Sequence, residues 1–299
     1  MAARSTHRGL AERNLAMNAQ RIHARDGLQI AAHFYGEDLP RGGTRGAVLI
    51  VPAMGTPQSY YAPFAAWLAA QGYLVATFDY RGTGLSRPSS LWGFRTDIFD
   101  WAKLDCAAMI EALATRVPSQ PLYWIGHSLG GQILPFVPNH QRLAKAVTVA
   151  CGSGYWRENA EPLKRRAWWL WFVVAPIMLP LCGYFPGKAL GKVGDLPKDV
   201  MIQWRRWCLH PEYAMSEGEA VRAQYAAVTT PIVSLSFHDD EFMSARNTES
   251  IHAFYVNAQR TMKRIAPEEI GAQRIGHFGF FRAAFERSLW QAYLLPELS

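Results

Sequence analysis

The sequence predicts a doubly wound α/β fold, a mostly parallel sheet covered by helices on both faces and carrying an inserted helical cap. Short apolar runs of strand length alternate with longer segments that are apolar at helical spacing. The runs are apolar throughout rather than at every second residue, the pattern of strands buried on both faces in a parallel sheet. Between residues 153 and 228 the alternation stops. That interval is far longer than an ordinary connection. The expected organisation is therefore a core of residues 1–152 and 229–299 with a cap of residues 153–228.

"QRIHARDGLQIAAHFYG" reads as two strands joined at Asp26-Gly27, a dipeptide suited to the positive φ angles of a tight hairpin, and would form an antiparallel edge. "AVLIVPAMG" is a buried strand followed by a turn, Tyr60 to Gln71 a helix stopping at Gly72, and "YLVATFDYRGTG" another buried strand. Asp97 to Arg116 is amphipathic, with Ile98, Trp101, Leu104, Cys106, Met109 and Leu113 inward, and Pro118 lies beyond its end. "PLYWIG" is the next strand, and a helix begins after Ser128 that Pro135 and Pro138 keep short or kinked. "KAVTVACG", "PIVSLSF" and "QRTMKRIAP" supply strands, "SARNTESIHAFYVNA" a helix, and "FGFFRAAFERSLWQAYLL" a closing helix.

With 49% hydrophobic and 18% charged residues, the 299-residue chain is globular in composition. Its net charge of +7, from 31 basic and 24 acidic residues, is scattered apart from short clusters such as "LKRR" and "QWRRW". No finger, helix-turn-helix or RNA-binding signature accompanies it, so nucleic acid is not an expected partner. Cys106, Cys151, Cys182 and Cys208 lie far apart with no C-x-x-C pair, the usage of reduced core thiols in a cytoplasmic protein. The N-terminal "MAARSTHRGLAERNLAMNAQ" lacks an apolar leader region, so a secretory signal is not expected.

"IGHSLGG" sets Ser128 between Gly126 and Gly130, directly after one strand and before a helix. That context is what the G-x-S-x-G pattern needs: the turn is so sharp that the flanking positions demand glycine, and the serine oxygen is thrust out of the sheet. Serine needs a base, itself oriented by an acid, and in such sites they follow in the order Ser, Asp or Glu, His. Of the later histidines, His210 lies in the insertion, His238 at a strand end and His252 on a helix surface. His277 stands in the glycine-framed loop "RIGHFGFF" and is the candidate base. "SLSFHDDEFMS" places three carboxylates at the carboxyl end of a strand, where open α/β sheets gather their sites. Asp240 is the candidate acid, ahead of Asp239 and then Glu241. The backbone N–H groups of Leu129 and Met54 are the candidate oxyanion donors. No metal or cofactor is called for.

These residues resemble the α/β-hydrolase superfamily, through "GHSLGG", "FDYRGTGLS", "FHDDEFMS" and "GHFGFF". The resemblance covers the chain outside the cap and is closest to bacterial serine aminopeptidase (S33-like) and monoglyceride-lipase-like hydrolases. It implies scaffold roles for Asp79 and Arg81. It also shows Pro52-Ala53 standing where His-Gly is common, and Phe237 where the loop of the acid usually has Gly. The group name assigns no peptidase substrate.

The expected chemistry is hydrolysis of a carboxylic ester with a hydrophobic acyl or aromatic part, through an acyl-enzyme on Ser128. The same residues would serve an acyltransferase or thioesterase, or persist in a silent binding protein with this fold. "AWWLWFVVAPIMLPLCGYF", Ala167 to Phe185, is uncharged and long enough to cross a bilayer, although Pro176 and Pro180 should break its second half. One crossing would leave Ser128 on one side and Asp240 with His277 on the other, so the segment is read as a buried cap over an acyl pocket. The alternative is an exposed lid touching lipid weakly through Trp168, Trp169 and Trp171.

Overall fold

The computed structural model describes residues 19–39, 43–191 and 193–298; most of the N-terminal stretch read above as lacking a leader lies outside them. Its main sheet has eight strands in the order β1-β2-β4-β3-β5-β6-β9-β10. These are β1 (Gln20–His23), β2 (Gln29–Tyr35), β3 (Gly46–Val51), β4 (Tyr73–Phe78), β5 (Leu122–His127), β6 (Leu143–Val149), β9 (Ile232–Phe237) and β10 (Arg260–Ile265). The pairings β1–β2 and β2–β4 are antiparallel and the other five parallel, so the initial hairpin forms the antiparallel edge. Every residue of β3, β4, β5 and β9 is buried, which is why these segments are apolar without alternation.

The first hairpin is looser than a two-residue turn. Ala24 N–H donates to the Leu28 carbonyl, and of the dipeptide only Gly27 has positive φ, 84°. Asp26 stays free to accept from Leu28 N–H and to pair with Arg81 at 2.6 Å. Arg81 also donates from Nε to the buried Asp105 at 2.7 Å. Asp105 enters the core because the predicted helix is not uniform: Ile98–Asp100 and Ala107–Arg116 are α-helical, but Trp101–Cys106 forms a π turn. The wider turn brings Asp105 to Arg81 and leaves Leu104 only half-buried.

Further departures occur near the C-terminus. The closing helix is broken into Gly276–Gly279, a 3₁₀ turn at Ala283–Phe285 and a π-helical stretch Glu286–Leu294. The helix after Ser244 ends at His252, which is buried. It is a core residue rather than a surface one: Nδ1–H donates to the Thr248 carbonyl (2.7 Å) and Nε2 accepts from the Thr148 hydroxyl (2.9 Å).

Burial lowers the His252 pKa from 6.5 to about 4. The unfolded chain therefore takes up this proton before the folded chain does, so stability is complete above pH 6.5 and falls with pH through that interval. Acidification from pH 7 to 5 is expected to cost about 2 kcal/mol from this residue. His127, also pushed below its ordinary value by burial, acts in the same direction. Urea midpoints across that range should fall in the wild type and fall less in His252→Asn. A flat wild-type profile would contradict the assignment.

Between β6 and β9 lie helices Glu161–Trp169, Ala175–Cys182, Lys198–Leu209 and Glu219–Ala227 and the short antiparallel pair β7 (Tyr184–Phe185) and β8 (Leu196–Pro197). The chain stays helical through Pro176, which stands in the first turn of its helix just after a π turn at Leu170–Val174, and through Pro180 inside that helix. The Trp171 carbonyl in that turn accepts from Arg205 Nε at 2.6 Å. Gly183, at φ 71°, ends the run. Among the described residues no helix is long and apolar enough to cross a membrane. The Trp171 side chain is buried with its ring 5.0 Å from that of Trp204, and so is not a lipid-facing residue.

Candidate active site

Ser128 lies at the carboxyl end of β5 with φ 51° and ψ −114°, a strained conformation for a residue bearing a Cβ. The neighbouring glycines make the turn possible. A Cβ on Gly126 would collide with the Gly130 carbonyl, and one on Gly130 with the Val51 carbonyl. Gly130 thus lets the elbow press against the loop after β3, the loop that carries Met54. Leu129 begins a helix of only four residues, Leu129–Gln132, too short for a substantial macrodipole. What it offers is a single N–H without a helical partner. Among the described residues Met54 N–H likewise makes no backbone hydrogen bond.

The acidic loop after β9 and the loop before His277 are held together by all three carboxylates. Asp240 accepts from His277 Nδ1–H, at 2.9 Å to Oδ2 and 3.1 Å to Oδ1, and both residues are buried. Its Oδ1 also accepts from Phe242 N–H (2.7 Å) and Met243 N–H (2.9 Å). Asp239 instead accepts from the backbone N–H groups of Ile275 (2.8 Å) and Gly276 (3.1 Å). Glu241 accepts from His277 N–H (3.0 Å) and pairs with Arg274 (3.2 Å). Gly276 has φ 64°, and a Cβ there would lie 2.7 Å from Glu241 Oε2. Asp240 fixes the imidazole, then, while Asp239 and Glu241 fix its backbone.

Ser128, Asp240 and His277 are all buried, at 8%, 5% and 2% exposure, in three segments, the turn after β5, the loop after β9 and the helical turn Gly276–Gly279. Among the described residues the His277 ring hydrogen-bonds only to Asp240, leaving Nε2 free, and no hydrogen bond joins Ser128 to His277. Such contacts commonly tighten only when substrate is bound. His210 and His238 lie outside this cluster, His238 being exposed.

His127 links the elbow to His277. Its Nε2–H donates to the His277 carbonyl (3.1 Å), and its Nδ1 pairs with the Tyr61 hydroxyl (2.8 Å). Tyr61 in turn accepts from Ala53 N–H at 2.9 Å. The His277 carbonyl can only accept, so the neutral imidazole carries its proton on Nε2, and Nδ1 accepts the proton of the Tyr61 hydroxyl. Burial keeps His127 neutral, well below its ordinary pKa. A directed chain thereby ties the loop of Met54 to the loop of His277. The variable position of G-x-S-x-G gives no sign of this role.

The scaffold residues behave as the resemblance implies. Buried Asp79 accepts from Gln58 N–H and Leu85 N–H, both at 2.8 Å, and a Cβ on Gly84 would overlap its carboxylate. The inserted segment reaches the same end of the sheet through several hydrogen bonds. Gly194 N–H donates to the Gly55 carbonyl (3.2 Å), Tyr213 hydroxyl to Gln132 Oε1 (2.8 Å) and Ala160 N–H to the Phe242 carbonyl (3.3 Å). The Phe242 ring lies 4.7 Å from that of His277, and Phe278 lies 5.9 Å from Phe242. Among the described residues no cluster of His, Cys, Asp or Glu could hold a metal ion.

The family model described as serine aminopeptidase, S33, matches residues 42–267. Among curated proteins none matches the chain. A soluble variant of monoglyceride lipase from Saccharomyces cerevisiae, solved with a substrate analogue, is similar with a TM-score of 0.59 and 18% identity, over 82% of this chain and 85% of that one. A Pyrococcus furiosus esterase gives 0.58 and 14% over 94% and 88%. An esterase from Exiguobacterium antarcticum gives 0.56 and 16% over 93% and 98%. At these identities the likenesses establish the α/β-hydrolase fold.

Proposed function

Because the chain belongs to the serine aminopeptidase S33 family of α/β-hydrolases, we propose that it hydrolyses carboxylic esters with a hydrophobic acyl or aromatic part. The observation that carries this reading is the buried His277–Asp240 pair, with Nε2 left free, at the end of the sheet that holds the strained Ser128. Ser128 Oγ attacks the ester carbonyl while His277 Nε2 takes its proton, and Asp240 holds the imidazole and stabilises its cation. Met54 and Leu129 N–H receive the oxyanion. Collapse expels the alcohol, which takes the proton from His277, and water activated by the same base releases the acid. Residues 153–228 act as a cap that excludes water.

The hydrophobic preference rests on the rings around the base. Phe278 makes edge contacts with both Phe242 and Tyr60 there, and among the described residues the nearby Arg274 is paired with Glu241. An amino-terminal cation would find little to receive it. An ester is therefore preferred to a peptide, as in the lipase and esterases that share the fold.

A series of p-nitrophenyl esters from acetyl to decanoyl tests this. The expected result is kcat/KM at least about tenfold higher for octanoyl than for acetyl. Equal turnover along the series would reject the apolar acyl pocket, and faster cleavage of aminoacyl anilides would reject the ester. Assays with added alcohols would show acyl transfer as a new ester product.

A further inference from the structure

We propose that the outer face of the helical run Glu161 to Cys182 docks on the surface of an anionic membrane. The run is continuous, α-helical at Glu161–Trp169 and Ala175–Cys182 with the π turn between. Ala167, Trp171, Ala175 and Leu179, four residues apart, are buried and pin one side to the protein. A helix so anchored should be polar on its other side. Here the other side exposes Trp168 (44%), Trp169 (60%), Phe172 (42%), Ile177 (51%) and Leu181 (69%). Trp92, 66% exposed and adjacent to Gly183, extends the surface past the helix end. Large apolar side chains contiguous over the length of a helix mark a contact with something apolar.

Charge identifies the partner. Lys164, Arg165 and Arg166 stand at the end nearest the exposed tryptophans. Arg165 and Arg166 are exposed and, among the described residues, have no ion-pair partner, while Lys164 makes only a 3.5 Å contact with Glu161. Cations beside tryptophans suit a bilayer interface, where the rings sit at headgroup depth and the guanidinium groups meet lipid phosphates. A second copy would bring the same cations and the same net charge of +7. No described helix can cross a bilayer, so the contact is with its surface. Docking here would also bring the membrane to the approach of the base, since Ala160, just before the helix, is hydrogen-bonded to the Phe242 backbone.

The test is co-sedimentation of the Ser128→Ala protein with lipid vesicles, so that neither turnover nor the proposed reaction enters the readout. Binding is expected to phosphatidylcholine vesicles containing 30% phosphatidylglycerol at low salt. It should weaken about thirtyfold in Arg165→Ser/Arg166→Ser and approach that variant's affinity on pure phosphatidylcholine. Trp168→Ser/Trp169→Ser/Phe172→Ser should bind neither composition while keeping the parent's thermal unfolding profile, because these side chains are exposed. No binding to the anionic vesicles would overturn the proposal, as would undiminished binding by the triple variant. A parent that sediments as a dimer and a triple variant that sediments as a monomer would assign the face to a second copy instead.

Discussion

Ser128→Ala is expected to lower kcat on any ester the wild type cleaves by about four to six orders of magnitude, and to abolish covalent labelling by a fluorophosphonate probe. The size follows from what is removed. Without Oγ there is no acyl-enzyme, and the residual rate comes from a water molecule and the N–H groups of Met54 and Leu129. The substitution is also structurally quiet. Alanine keeps the Cβ and so the same strain at φ 51°, and nothing about Gly126 or Gly130 changes. Thermal unfolding should be close to that of the wild type, so lost activity would reflect lost chemistry. Persistent labelling in the variant would remove Ser128 from the mechanism, and with it the proposed reaction.

The elbow was legible because its constraints are local. A glycine two residues either side of Ser128, a buried run before it and a helix after it all appear within eleven letters. The pairing of Asp240 with His277 was legible through chain order and, for Asp240, through the apolar run of β9 that ends just before it. Asp239 and Glu241 were not, because a carboxylate gripping backbone N–H groups looks, as letters, like a solvated acid. That distinction exists only once the acidic loop and the Ile275–His277 segment are side by side. The same holds for Tyr61, whose hydroxyl joins Ala53 and His127 across a fold-dependent gap. Helix interiors failed differently. A regular 3.6-residue period places Leu104 inward, but the attraction of Arg81 for Asp105 and the π turn at Trp101–Cys106 go together, and the period is lost there. In the inserted segment hydropathy was equally uninformative. Trp171 and Trp169 are the same letter two positions apart, yet one packs against Trp204 and the other faces solvent.

Asp240→Asn should lower kcat by about four orders of magnitude, whereas Asp239→Asn and Glu241→Gln should each cost about tenfold or less. The difference comes from what each carboxylate holds. Oδ1 of Asp240 receives the N–H groups of Phe242 and Met243, so an asparagine must keep its oxygen there and turn its NH2 toward His277. Nδ1 would then have to accept, the ring proton would move to Nε2, and the nitrogen proposed to take the Ser128 proton could no longer act as base. At residue 239 the partners are the N–H groups of Ile275 and Gly276, and both can reach a single oxygen, at 2.8 and 3.1 Å from Oδ2. An asparagine loses charge there but retains an acceptor, so the loop loosens and the tautomer of His277 is preserved. Glu241→Gln likewise retains an oxygen for His277 N–H while weakening the pair with Arg274. The pH dependence separates the two roles. Asp240→Asn should regain rate as hydroxide begins to substitute for the missing base, while the other two variants should follow the wild-type profile at a lower plateau. Equal losses in Asp240→Asn and Asp239→Asn would mean that neither is the orienting acid, and a large loss confined to Asp239→Asn would transfer the role to it.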